Sequence, residues 1–305
     1  MKVIEVSNLS KKYQDEYAVN DLSFSVEKNS VVGLIGLNGA GKTTTMKLLM
    51  GLIKSNGGKI KILDKDITYG MIPDDVRYLK DVPGFYDYMT AFEYLKFILD
   101  INNYQGSDTT DKINNTLKQS GLYEDRDKRI GKFSRGMRQR IGIASSIISD
   151  PKILILDEPV SALDPVGRKE MFEQISKLKE HMTIIFSTHI LDDVERVCNK
   201  VVLIKDGSKI KDGSIKEIKQ TYIKNILEVT FMNEEGYNKF SKDFSIDKNK
   251  VSFVEEDLKI YLDSDDLKIL SKKVFVFLTD NDIEIESLII KKPTLEEIFI
   301  KEVLL

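Results

Sequence analysis

The chain has 305 residues, 41% of them hydrophobic and 31% charged, with a formal net charge of −3. That length carries a full-sized core with room for a second, smaller domain, and the slight acidic excess gives no reason to expect nucleic acid as a partner. The one cysteine, Cys198, excludes an internal disulfide and fits a reducing compartment. The N-terminal stretch MKVIEVSNLSKKY lacks the apolar run of a signal peptide, and no stretch approaches about 18 uninterrupted apolar residues. A membrane role is therefore expected to pass through another chain.

In chain order, Lys2–Val6 and Leu22–Val26 read as strands around a turn-rich stretch, Lys11–Asn20, that holds Tyr13. By position alone Tyr13 is an ordinary loop aromatic. Val31–Ile35 (VVGLI) is a short apolar run typical of a buried strand, and Thr45–Leu52 has the spacing of a packed helix. Between them lies GLNGAGKTT, Gly36 to Thr44, which matches G-x-x-x-x-G-K-T in its expected strand-to-helix context. Its residues Gly36, Leu37, Asn38, Gly39, Ala40, Gly41, Lys42, Thr43 and Thr44 form a phosphate-binding loop. Glycines bring backbone N–H groups close to phosphate oxygens, and the helix N-terminus adds partial positive charge. Lys42 supplies a full charge toward the β and γ phosphates, and the Thr43 hydroxyl is positioned for Mg²⁺. These residues alone imply a nucleoside triphosphate ligand.

Lys59–Leu63 and Val76–Leu79 are predicted strands, and Ala91–Ile101 and Asp111–Leu122 predicted helices, giving a mainly helical insert. FSRGMRQ, Phe133 to Gln139, precedes a predicted helix Arg140–Ile148. Ser134 is its candidate cap and Gly136 permits close backbone approach, a common structural arrangement. Ile153–Leu156 (ILIL) reads as a strand buried on both faces of a parallel sheet, ending in Asp157-Glu158 at the edge where such sheets bind ligands. There Asp157 can hold Mg²⁺ and Glu158 can polarise an attacking water. Thr183–Phe186 is a second buried strand, ending in Ser187-Thr188-His189; His189 could reach a γ-phosphate or serve as an edge or capping histidine.

Lys200–Lys205 and Ser208–Lys211 flank a hairpin turn at Asp206-Gly207, after which the first domain ends. Ile215–Ile223 is a predicted helical connector. Beyond it, strands Leu227–Met232, Val251–Val254, Lys259–Leu262 and Ile283–Ile289 alternate with helices Glu235–Phe240 and Asp266–Leu278. This is the order of a small α+β sandwich, closed by a helix from Pro293-Thr294 and carrying no catalytic constellation.

With these stretches assembled, the first ~215 residues resemble the nucleotide-binding subunit of ATP-binding cassette (ABC) transporters. GLNGAGKT stands as the Walker A loop, ILILDE (Ile153 to Glu158) as Walker B, SALD (Ser161 to Asp164) as the D-loop, and His189 as the switch histidine. FSRGMRQ stands where the family carries its LSGGQ signature, with Ser134 and Gly136 retained and Arg135 in place of a glycine. Tyr13 falls where the family's adenine-stacking aromatic belongs. Asp81 takes the place of a Gln or Glu that contacts Mg²⁺ and couples to the membrane subunit. The ending KPTLEEIFIKE, Lys292 to Glu302, is similar to the tails of exporter-type subunits such as bacterial drug- and peptide-resistance or immunity transporters.

The resemblance implies an α/β fold: a P-loop NTPase (RecA-like) cassette over about residues 1–215, a helical subdomain over about 84–150, and an α+β accessory domain over about 216–305. It implies ATP and Mg²⁺ as ligands, with Lys42, Glu158 and His189 catalytic. Thr43, Asp157 and Asp81 fall to the metal, and Tyr13, Ser134, Gly136 and the glycine loop to the nucleotide. It implies a second cassette, in a homodimer, and an integral membrane permease as partners. Nucleic acid is not expected, and the place is cytoplasmic, peripheral on the inner face of the cell membrane. Two other readings stand beside it: a soluble cassette ATPase acting on ribosomes or nucleic acid, and an ATP-binding regulatory module without turnover.

Overall fold

The computed structural model describes residues 1–81, 83–161, 163–221, 226–244, 251–254, 257–264, 266–291 and 294–303. The chain divides into two compact units, Met1–Ile215 and Lys216–Leu305.

In the first unit, β1 (Lys2–Tyr13) and β2 (Glu16–Glu27) are the arms of a long antiparallel hairpin. The pairing of Tyr13 with Glu16 closes it, and Gln14 takes φ 50 in the turn. The stretch Lys11–Asn20, expected as a turn, is therefore mostly strand, and Tyr13 ends β1. Its polar composition is overridden by the ladder and by cross-strand contacts, among them the Lys12 ammonium 5.5 Å from the Tyr17 ring. β3 (Val31–Ile35) is buried at every position. The helix after it, α1 (Lys42–Leu49), begins three residues before the predicted Thr45. Gly41, at φ 98, turns the chain directly into the helix, and its carbonyl accepts from Thr45 N and Thr45 Oγ1, both at 2.9 Å.

β4 (Gly57–Ile62) and β5 (Lys65–Asp66) complete a four-stranded antiparallel sheet in the order β2-β1-β4-β5. β6 (Val76–Leu79) returns to the main sheet. Next come α2 (Ala91–Ile101), α3 (Thr109–Gln119) and α4 (Arg135–Ile147), which pack around Leu95, Leu99, Ile113, Leu117 and Ile141. Thr90 and Glu93 form a reciprocal capping box at the start of α2. α4 starts at Arg135, five residues ahead of the predicted Arg140, because the Ser134 hydroxyl caps it by accepting from Met137 N at 3.3 Å.

β7 (Ile153–Asp157), α5 (Pro165–Leu178), β8 (Thr183–Thr188), α6 (Leu191–Val197), β9 (Lys200–Lys205) and β10 (Ser208–Ser214) complete this unit. The six-stranded sheet runs β10-β9-β3-β8-β7-β6, parallel from β9 to β6 with β10 antiparallel at its edge. The continuous apolar runs in β3, β7 and β8 follow from this central position. Ile4, Leu22, Val32, Met46, Leu49 and Ile155 belong to one apolar cluster that joins both sheets to α1. Cys198 closes α6; burial pushes its thiol pKa up.

α7 (Ile215–Thr221) begins on the last residue of the first unit, and the predicted connector holds as far as Thr221; its last two residues lie outside the described ones. β11 (Ile226–Phe231), α8 (Glu234–Asp243), β12 (Val251–Val254), β13 (Lys259–Asp263), α9 (Leu267–Asp280), β14 (Ile285–Lys291) and α10 (Leu295–Val303) follow. The antiparallel sheet is ordered β12-β13-β11-β14, and its core of Leu227, Val229, Phe231, Ile260 and Leu262 packs against Phe240, Val274 and Leu278. The mixed α/β sheets and flanking helices of the chain make a P-loop NTPase fold followed by a C-terminal α+β domain.

Candidate active site

The loop from Gly36 to Thr44 joins β3 to α1 at the carboxyl edge of the parallel sheet. Two of its glycines are fixed by space. A Cβ on Gly36 would stand 2.5 Å from the Ile204 carbonyl oxygen, and one on Gly41 would stand 2.2 Å from that of Ala18. The loop wraps Lys42, which is only 6% exposed. Its ammonium donates to the carbonyls of Gly36 at 2.9 Å and Leu37 at 3.2 Å, and lies 3.3 Å from Glu158 Oε1. The other Glu158 oxygen accepts from His189 Nδ1 at 3.1 Å. One carboxylate thus ties the loop after β3 to the residues that follow β7 and β8.

Glu158 is held in a left-handed backbone conformation, φ 49, which costs a non-glycine residue energy. Its amide donates to Ser187 Oγ at 2.9 Å, while that hydroxyl donates to Asp157 Oδ1 at 2.6 Å. The Tyr78 hydroxyl donates to Asp157 Oδ2 at 3.2 Å. Burial, and then the Asp157 charge, raise the Tyr78 pKa, so the phenol stays a neutral donor. Asp157 is 2% exposed, so both oxygens need these partners.

A cavity of about 440 Å³ is lined by Ala18, Asn38, Gly39, Ala40, Gly41, Lys42, Thr43, Thr44, Asp81, Glu158, Ser161 and His189. Asp81 is fixed there by Ser161, whose hydroxyl donates to Asp81 Oδ1 at 2.8 Å. Gly36, Leu37 and Asp157 are not part of this lining. Tyr13 is outside it, 49% exposed with the Lys11 ammonium 4.7 Å from its ring centroid. Ser134 and Gly136 line a different cavity, of about 380 Å³, with Arg135, Leu163, Asp164 and Glu170. Residues at the D-loop thus border both cavities: Ser161 the first, Leu163 and Asp164 the second.

The sequence assigns no role to Ser187 or Tyr78, and marks Ser161 only as the first residue of SALD, without its bond to Asp81. Ser187 has a signal, its place two residues before His189; Tyr78 has none beyond ordinary strand chemistry.

The profile of the ABC transporter family matches residues 19–161, and that of the C-terminal domain of DrrA1-3-like ATP-binding proteins matches residues 213–303. The chain is 43% identical over 225 residues to the uncharacterized ABC transporter ATP-binding protein YxlF of Bacillus subtilis, covering 73% of this chain and 75% of that protein. It is 36% identical over 222 residues to the bacitracin transport ATP-binding protein BcrA of Bacillus licheniformis, covering 72% of each. A solved ATP-binding subunit of an ABC transporter superposes with a TM-score of 0.66 at 29% identity, over 72% of this chain and 93% of that one. Among the described residues no helix is long and apolar enough to cross a membrane. The chain belongs to the ATP-binding proteins of ABC transporters and is a nucleotide-binding ATPase subunit of that family.

Proposed function

We propose that the chain hydrolyses Mg²⁺-ATP at the Lys42–Glu158–His189 cavity and that two copies, closing and opening around the nucleotide, power export through a separate membrane permease. The observation that carries this reading is the convergence of Lys42 and His189 on the two oxygens of Glu158, beside the glycine loop. The cassette spans residues 1–215 and the accessory domain 216–305, in line with the two compact units.

Phosphate oxygens entering the loop meet its N–H groups and compete with Glu158 for the Lys42 ammonium. Release from Lys42 leaves Glu158 free to accept a proton from an attacking water, while His189 keeps hold of its other oxygen and steadies the γ-phosphate. The oxygen-only donor set of Thr43, Asp157 and Asp81 suits Mg²⁺. Mg²⁺ commonly shares its shell between one or two carboxylates, water and substrate phosphates. Bound there, Mg²⁺ would offset charge on the phosphates. The Ser134 hydroxyl and the Gly136 backbone, on their separate cavity, serve the nucleotide of the second cassette, and Tyr13 stacks on the adenine.

The bacitracin transport relatives support a transport role, and the ending KPTLEEIFIKE, Lys292 to Glu302, is the reason for preferring export, through a permease and from its cytoplasmic side. The test is Glu158→Gln. Turnover is expected to fall by roughly 10²–10⁴ with ATP binding retained, and near-normal turnover would remove Glu158 from the base role. Pull-down of that variant with ATP from gently solubilised membranes should retain a multi-spanning protein; ribosomes instead would overturn the transport role.

A further inference from the structure

The outer face of α9 in the C-terminal unit is the feature that nucleotide binding leaves unexplained. Its inner face is ordinary: Leu270, Val274 and Leu278 are buried at 5%, 0% and 5% exposure against the sheet. Its outer face carries Ile269, Phe275 and Val276, exposed at 55%, 63% and 55%. Ile269 and Val276 stand seven residues apart, two turns along one line. Lys272 and Lys273 lie between them, one to each side of that ridge, and Lys268 lies on the Phe275 side. From Lys268 to Thr279 the helix has three lysines and no acidic residue, in a chain whose formal net charge is −3.

The neighbouring helix presents a different outer face. α8 covers the same sheet, with Phe240 packed on Phe277 of α9, yet its exposed residues are Glu234, Glu235, Asn238, Lys239, Lys242 and Asp243, all polar. Leaving a phenylalanine, a valine and an isoleucine in water on α9 forgoes their burial, so a surface that covers them is expected. The lysines select among covers. A second copy packed symmetrically on this face would set Lys272 and Lys273 against their own counterparts, whereas an anionic lipid surface accepts the ammonium groups at its headgroups and the apolar ridge just below them.

We propose that the outer face of α9 docks the C-terminal unit on an anionic lipid bilayer through Ile269, Phe275 and Val276, with Lys268, Lys272 and Lys273 at the headgroups. The attraction amounts to roughly five-fold in partitioning per lysine and fades with salt. The chain contains no tryptophan, so Phe275→Trp in the full chain places its one tryptophan, excited apart from the tyrosines, on the face. With vesicles of equal parts phosphatidylcholine and phosphatidylglycerol, its emission should shift to the blue, and with phosphatidylcholine alone it should not. Wild-type chain should sediment with the same anionic vesicles. Lys272→Gln with Lys273→Gln should weaken that binding about 25-fold, with circular dichroism and ATP hydrolysis unchanged.

Failure of the wild type to bind these vesicles would overturn the proposal, as would binding that ignores the two lysines. A blue shift that grows with protein concentration in the absence of vesicles would assign the face to a second copy. A shift produced by polyglutamate and not by vesicles would assign it to an acidic protein.

Discussion

The Ser187 hydroxyl donates to Asp157 Oδ1 at 2.6 Å across two adjacent parallel strands, in whose register these residues are partners. Ser187 Oγ in turn accepts from the Glu158 amide, so one buried serine sets the buried carboxylate and the backbone of the carboxylate beside it. Ser187→Ala orphans both groups. Leaving them unpaired costs about 1–3 kcal/mol, read as a lower melting temperature. Turnover should fall further than ATP affinity, because the geometry of Asp157 and Glu158 serves the reaction more than the binding. Steady-state kinetics and nucleotide titration on one preparation separate the two effects.

Lys42→Ala tests the other side of Glu158. The Lys42 ammonium holds two loop carbonyls and a carboxylate, so its removal should destabilise the chain by about 1–3 kcal/mol besides weakening ATP binding. Adding Glu158→Gln removes the charge that Lys42→Ala strands. The double variant should therefore recover part of the lost stability, a coupling that denaturant unfolding of the four-member cycle measures. Additive losses would mean that the Lys42–Glu158 pair carries no net energy.

The parts of this arrangement that could be read from the sequence are those with their own local pattern. The runs VVGLI, ILIL and TIIF declare central strands because both faces are buried, and GLNGAGKTT declares a phosphate loop because few other uses need those glycines before Lys-Thr. Apolar spacing puts the helix starts late, at Thr45 and Arg140, because a left-handed glycine and a serine cap begin α1 and α4. The support of Asp157 was illegible for a different reason. Tyr78 and Ser187 lie 79 and 30 residues from it, and only the register of β6, β7 and β8 brings them near. Tyr13 shows the opposite case: polar neighbours concealed a strand that cross-strand pairing makes.

Asp193 offers a prediction in pH. On α6, 5% exposed, it has an Oδ2 without a hydrogen-bond partner, and burial raises its pKa despite the opposing charges of Arg168 and Arg196. A carboxyl whose folded pKa lies above its unfolded value favours folding while protonated. That contribution is full below 3.8 and is lost as pH rises through the folded value. At neutral pH the ionised group is therefore a burden, and Asp193→Asn should raise the melting temperature there. The gain should shrink as the pH falls toward 3.8, where the native acid is protonated too. A gain that does not change with pH would trace to packing instead.

Arg135 is the first residue of α4, and the first turn of that helix contains no acid to offset it. A cation at a helix N-terminus opposes the backbone dipole, at about 0.3–1 kcal/mol. Such a cost is reasonable if the guanidinium meets an anion, and Arg135 lines the same cavity as Ser134 and Gly136. Arg135→Gln should therefore act in two opposite directions. The isolated chain should melt slightly higher, since the unfavourable charge is gone. In a Glu158→Gln background, ATP-driven pairing should weaken, measured by size-exclusion chromatography against nucleotide concentration, because the nucleotide of the second cassette loses a positive group. Higher stability with pairing unchanged would leave Arg135 pointing to solvent, and the signature's role would then rest on Ser134 and Gly136.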